Sequence, residues 1–206
     1  MPQLKILDEV AAKREYDVPN LKFLIKNENV WLIQNEFQLI VEQKPQRRTV
    51  FIEQDIFPTY EDMQNTKLKV RPYNLAFPYV YFVLKMRKMQ KMQFNEYKLI
   101  RINAFSKVIP LNRISDNVSI VNLPNVAENG EVCLGDQYFA EYNLTKLVDD
   151  VIAYFWQSEF NGASEYFCDY LERSSKFTVK DLTDPSDEIK DCSDFLFKTI
   201  VLNSSF

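Results

Sequence analysis

Histidine is missing from all 206 residues, and glycine occurs only three times. The first absence removes the commonest general base, the commonest metal ligand and the one side chain that ordinarily titrates near neutrality. Serine and cysteine triads of the usual kind are therefore excluded. The second absence excludes glycine-rich phosphate loops, because neither G-x-G-x-x-G nor G-x-x-x-x-G-K-[ST] can be built from Gly130, Gly135 and Gly162. Cysteine is scarce as well. Cys133, Cys168 and Cys192 are an odd number without the close spacing of a metal site, which argues against a disulfide framework or structural zinc and predicts free thiols. No metal or cofactor is expected. The chain has no run of about 18 apolar residues, and MPQLKILDEVAAKREY lacks the basic start and apolar core of a signal peptide. The expectation is a cytoplasmic chain with no membrane partner. Positive charge is not in excess either: 29 acidic against 25 basic residues leave a net charge of −4, so no cationic field draws in nucleic acid.

What is present is apolar and aromatic material, 46% hydrophobic and 14% aromatic, enough for the core of one compact domain. In the first half it falls in short β-type runs: LKFLI at 21 to 25, VWLIQNEFQLIVE at 30 to 42 and TVFIE at 49 to 53. These predict an antiparallel meander. A polar stretch runs through Pro58 to Pro72, after which YVYFVLKM at 79 to 86 and YKLIRINAF at 97 to 105 are expected to pair as central strands buried on both faces. The link between them, RKMQKMQ, reads as a solvated hairpin tip, with a docking patch for an acidic partner as the alternative. Met86, Met89 and Met92 in and beside it carry no assigned function.

In the second half the period changes. Leu144, Leu147, Val148, Val151, Ile152, Phe155 and Trp156 recur at helical spacing, so NLTKLVDDVIAYFWQSEF predicts an amphipathic helix capped by Asn143 and packed on the sheet. A second helix is expected over Ala163 to Arg173, burying Tyr166, Phe167, Tyr170 and Leu171, with Cys168 near its buried edge. The tail combines an acidic loop, DLTDPSDEIKD, with the apolar run FLFKTIVL, for which helix and added strand both stand open. No internal repeat or linker divides the chain, and strands followed by helices make the fold class α+β.

Two of the three glycines surround Cys133 in LPNVAENGEVCLG, residues 123 to 135. Asn129-Gly130 is a tight-turn dipeptide, because both residues tolerate positive φ. Gly135 lets the backbone leave Cys133 without a bulky neighbour crowding the sulfur, which matters if a large acyl group has to reach it. Asn125, eight residues before the cysteine, carries a side-chain amide able to donate to the oxyanion of an acyl transfer.

This segment resembles the active-site stretch of ubiquitin-conjugating enzymes: His-Pro-Asn, a few residues, an acidic or Asn residue, Gly, two residues, then Cys-Leu. Pro124, Asn125, Asn129, Gly130, Cys133 and Leu134 match in place. Closer still is a resemblance to the bacterial branch that includes protein B of the plasmid PRTRC systems, over roughly Phe77 to Glu159. The resemblance implies an α+β ubiquitin-conjugating-enzyme-like fold: an antiparallel β-meander, an active-site segment, then C-terminal helices. Residues 1 to 206 would form a single domain, with a core over 20 to 175, an N-terminal extension and a tail over 176 to 206. It implies that Cys133 takes the C-terminal acyl group of a ubiquitin-like protein from a ThiF-like adenylating enzyme as a thioester and transfers it to an amine, with Asn125 stabilising the oxyanion. Leu123 departs from the pattern where classical members have His, a residue to which the family gives a structural role in the loop. Asp136, three residues after the cysteine, is the acidic residue weighed for orienting an incoming amine, although an Asp on a loop is ordinarily solvated surface.

Two alternatives stand beside that expectation. A cysteine between apolar neighbours, as in EVCLG, is ordinarily a small core residue, and Asn125 in a Pro-Asn turn ordinarily satisfies local backbone donors. The chain is then a non-catalytic member of the same fold, acting as a binding or scaffold module. A redox-sensing thiol is a third reading, with Cys168 as the partner that could approach in space. An acyl carrier requires an exposed Cys133 near Asn125; the module predicts a covered cysteine or a distant asparagine.

Overall fold

A computed structural model describes residues 21–26, 36–54, 69–91, 94–112, 116–163, 165–183 and 186–200. Its strands are β1 (Leu21–Lys26), β2 (Glu36–Gln43), β3 (Gln46–Gln54), β4 (Lys69–Phe77), β5 (Tyr79–Lys91), β6 (Phe94–Lys107), β7 (Val118–Ile120), β8 (Ala140–Glu141), β9 (Glu159–Ala163) and β10 (Thr199–Ile200). The helices are α1 (Leu144–Gln157), α2 (Glu165–Ser174) and α3 (Asp187–Leu196), with a 3-10 turn at Lys180–Leu182. The fold is α+β. None of the described helices is long and apolar enough to cross a membrane.

An antiparallel sheet of seven strands runs β1-β2-β5-β6-β7-β10, with β8 also on β6. Its centre is the expected pair: β5 lies against β6 from Tyr79↔Lys107 to Lys91↔Phe94. The continuous apolar run of β5 follows from burial on both faces. Val80, Phe82, Leu84 and Met86 enter the main core, while Tyr81 and Val83 join Ile40, Phe105, Leu111, Val118 and Ile120 on the other side. The Tyr81 hydroxyl donates to the Glu42 carboxylate at 2.9 Å and accepts the Leu111 N–H at 2.6 Å, which pins a loop over this second cluster.

The chain is not a simple meander. After β2 it leaves the large sheet, and β2 has β5 rather than β3 as its neighbour. β3 and β4 pair in a second sheet, ordered β4-β3-β9, in which β9 joins β3 in parallel. The polar stretch expected to reach Pro72 therefore ends earlier, because β4 starts at Lys69; its residues 55 to 68 lie outside the described residues. Pro72 is tolerated because β4 is an edge strand, where a missing N–H breaks no ladder. The hairpin arms also run further than RKMQKMQ suggested, and Met86 is fully buried. Residues 30 to 35 of the second apolar run and Met92 at the tip lie outside the described residues.

α1 begins where Asn143 Oδ1 accepts the N–H groups of Thr145 and Lys146, at 2.9 and 3.2 Å. Its apolar stripe, Leu147, Val148, Val151, Ile152, Phe155 and Trp156, is buried against the sheets. The helix stops at Gln157, and Glu159-Phe160, expected as its last residues, open β9 instead. In α2 Phe167, Cys168 and Leu171 are buried as expected, but Tyr166 is 61% exposed and Tyr170 half-buried. The tail uses both of its alternatives: FL ends α3 and Thr199–Ile200 is a strand on β7. It packs into the main core through Leu182, Leu196 and Phe197, and Arg47 of β3 holds its start, donating to the carbonyls of Phe177 and, at 2.8 Å, of Ser175 just before it.

Candidate functional site

The segment from Val118 to Tyr142 runs along the outer edge of β6, and its exits from that edge decide what is exposed. β7 pairs with Phe105 and Ser106. Gly130 and Val132 follow, through Ala104 N–H to Gly130 O at 2.8 Å and Val132 N–H to Ile102 O at 3.0 Å. β8 closes the row at Tyr97 and Lys98, helped by Leu99 N–H to Phe139 O at 3.0 Å. Cys133 to Tyr138 thus arch away between Ile102 and Leu99. There β6 carries an extra residue: Lys85 of β5 faces Arg101 and Met86 faces Leu99, so Ile100 is bulged.

Val126 and Val132 face each other across a bridge, and the loop between them is closed by Gly130 N–H to Ala127 O and Ala127 N–H to Glu131 O, both 2.8 Å. This is a three-residue hairpin loop with glycine at its positive-φ position, and Gly130 has φ +79°. The Asn129 side chain accepts the Glu131 N–H at 2.9 Å, and the Asn129 backbone carbonyl accepts from the Asn103 side chain at 3.3 Å. Gly130 is needed twice over. A Cβ there would sit 2.5 Å from the Phe105 ring, as well as in a backbone conformation that side chains disfavour.

Cys133 is exposed, whereas Cys168 and Cys192 are buried. Val132 before it is buried and Leu134 after it packs partly against the main core, so the sulfur is the outward residue of an alternating trio. The Cys133 N–H donates to the Asn125 carbonyl at 2.8 Å, which brings the two residues side by side. The Asn125 side chain turns to β9: Nδ2 donates to Glu159 O and Oδ1 accepts Asn161 N–H, each at 3.3 Å. Leu123 is 2% exposed and belongs to the core cluster, a slot where an imidazole N–H would need a partner. Pro124 is half-buried, and Gly135 and Asp136 are exposed. Gly135 has φ +64° with open space on its Cβ side.

The backbone groups of Glu159 and Asn161 are the part of the site that sequence reasoning missed. They lie 34 and 36 residues from Asn125, and no side-chain pattern marks a strand edge that far away. Among the described residues no group of three metal-ligating side chains could hold an ion. Burial holds the Cys168 thiol above its ordinary value, which disfavours the reactive thiolate there. Tyr138, with Lys98 Nζ 4.7 Å above its ring, and Tyr142 are exposed aromatics on the same stretch. No family model, curated protein or solved structure matches this chain.

Proposed function

We propose that this protein accepts the C-terminal acyl group of a small ubiquitin-like protein as a thioester on Cys133 and passes it to an amine. The observation that carries the reading is the pairing of an exposed thiol with Asn125 across a 2.8 Å backbone hydrogen bond, inside a segment with the residue order of the ubiquitin-conjugating active site. In the loading step the Cys133 thiolate attacks the activated carbonyl presented by a ThiF-like adenylating enzyme; a C–S bond forms and the previous leaving group departs. In the transfer step the amine nitrogen attacks, the C–N bond forms as the C–S bond breaks, the sulfur leaves as thiolate and the nitrogen gives up a proton. In this proposal the Asn125 carboxamide, freed from β9, is the donor to the oxyanion of both steps. The ubiquitin-conjugating-like fold, and within it the bacterial PRTRC-type branch, belong to the same proposal; the order of antiparallel strands, active segment and helices supports them.

Wild-type protein isolated from its native host under acidic, non-reducing conditions should carry an adduct of small-protein mass that a reducing thiol removes, and Cys133→Ala should carry none. An adduct-free wild type in actively growing cells contradicts the proposal. One observation favours a second reading, the non-catalytic binding module: the Asn125 amide is already engaged by β9. On that reading Cys133→Ala leaves every function of the protein intact.

A further inference from the structure

The two hydrogen bonds of the Asn125 side chain fall on alternate residues of one strand edge. In β9, Phe160 is in register with Ile52 of β3, while the Glu159 carbonyl and the Asn161 N–H are the groups that Asn125 meets. An acceptor and a donor on alternate residues are what a neighbouring strand meets when it adds to a sheet. A carboxamide is chemically a peptide group, so Asn125 fills with one side chain the place of an added strand. Both contacts are 3.3 Å, longer than the usual 2.9 to 3.0 Å of an N–H···O bond. Glu159, Asn161 and Gly162 are all exposed.

The position of this edge selects its occupant. Asn125 touches β9 with its side chain and the Cys133 backbone N–H with its carbonyl, so the edge and the residue that carries the thiol are each hydrogen-bonded to the same asparagine. A polypeptide whose last carbonyl is joined to the Cys133 sulfur has to leave the site as an extended chain. The edge that Asn125 now satisfies offers such a chain a backbone acceptor, Glu159 O, and a backbone donor, Asn161 N–H. Recognition through backbone groups needs little from the tail's side chains, and the open space beside Gly135 leaves room for the chain to enter.

We propose that the outer edge of β9 is the docking strand for the C-terminal tail of the acyl donor. The tail pairs with Glu159 and Asn161, displaces the Asn125 carboxamide, and frees it to donate to the carbonyl held on Cys133. This rests on the acyl-carrier reading of Cys133. Asn125 then has two positions: bound to β9 in the unloaded protein and turned to the acyl carbonyl in the loaded one, so that its donor is available only when a tail is present.

The test loads the full-length, nitrogen-15-labelled protein by chemical thiol exchange with a five-residue peptide thioester, and in parallel with an acetyl thioester. In each case the Cys133 thiolate attacks the thioester carbonyl, the new C–S bond forms, the old one breaks, and the released thiolate takes up the proton that Cys133 gave. Intact mass confirms a single acylation, Cys168 and Cys192 being buried. The peptide-loaded protein should show the Asn125 side-chain amide pair shifted and exchanging faster with solvent. Its Asn161 amide should shift and remain protected. The acetyl-loaded protein, which has no backbone to offer, should keep the Asn161 signal and the Asn125 pair where the free protein has them. Identical spectra for the two adducts at Asn125 and Asn161 would overturn the proposal. Because the loading is chemical, the absence of an adduct in cells would refute acyl transfer without altering this spectrum, and the two failures remain distinguishable.

Discussion

Gly130 and Gly135 both hold positive φ, but only one of them is enclosed. An L-residue in the left-handed region is destabilising by roughly 1–2 kcal/mol, and forcing a methyl group into packed surroundings adds roughly 1–3 kcal/mol. Gly130, with the Phe105 ring at 2.5 Å from its would-be Cβ, meets both penalties; Gly135 meets only the first. Urea unfolding should therefore show Gly130→Ala destabilised by about 2–5 kcal/mol and Gly135→Ala by about 1–2 kcal/mol. Equal losses would contradict the enclosed turn. The thiols provide a second comparison: in the folded protein an alkylating reagent should modify Cys133 alone, with Cys168 and Cys192 reacting only after denaturation. Native modification of Cys168 or Cys192, read by peptide mass, would contradict the burial of α2 and α3. The Asn129-Gly130 turn was legible in the sequence because its chemistry is local to a dipeptide. The anchoring of Asn125 was not, since its partners are backbone groups on a distant strand.

Among the elements, the strongest sequence signals are those set by period. α1 reads directly because its six buried residues repeat at helical spacing and Asn143 caps it. α2 reads less well. Its aromatics were assigned inward as a set, but Tyr170 meets Phe195 of α3 face to face at 4.1 Å, and Tyr166 stands outside against the same ring at 5.9 Å. An aromatic stripe does not reveal which neighbour covers it. At the first residue of β2 an ion cluster joins two strands: Lys85 Nζ lies 2.8 Å from the Glu36 carboxylate, and Arg87 pairs with the same group. The hydrogen bond from Lys85, followed by that from Arg87, holds the Glu36 carboxyl below its ordinary value. A carboxylate whose folded-state value is depressed contributes stability above its unfolded value and loses it as pH falls through the folded one. The stability difference between wild type and Glu36→Gln should accordingly be constant near neutrality and close as the solution is acidified through and below the ordinary carboxylate range. A difference that persists unchanged into strong acid would contradict the pairing.

At the scale of the whole molecule, the sequence shows strands first and helices after, hence the α+β class and the central β5–β6 pair. The split into two sheets was hidden. β3 buries Val50 and Ile52 on one face and exposes Thr49 and Phe51 on the other, a pattern that suits a strand of either sheet. Its removal from the meander depends on the parallel partner β9, which follows the helix more than a hundred positions later and pairs Phe160 with Ile52. That long-range pairing brings β9 beside Asn125, so the feature least legible locally is the one that completes the site. The tail contributes as well: Leu196 O accepts the Asn122 N–H at 2.8 Å, and Phe195 O accepts from its side chain at 2.9 Å, holding the chain immediately before Leu123.

The most direct test of acyl transfer through Cys133 is the intact mass of tagged Cys133→Ser protein purified from its native host, since a serine converts a labile thioester into a durable ester. The account predicts a discrete adduct of small-protein mass, released by mild base and absent from Cys133→Ala. A serine variant with the unmodified mass, from cells in which the wild type is active, would contradict it and leave Cys133 as an exposed thiol on a binding module.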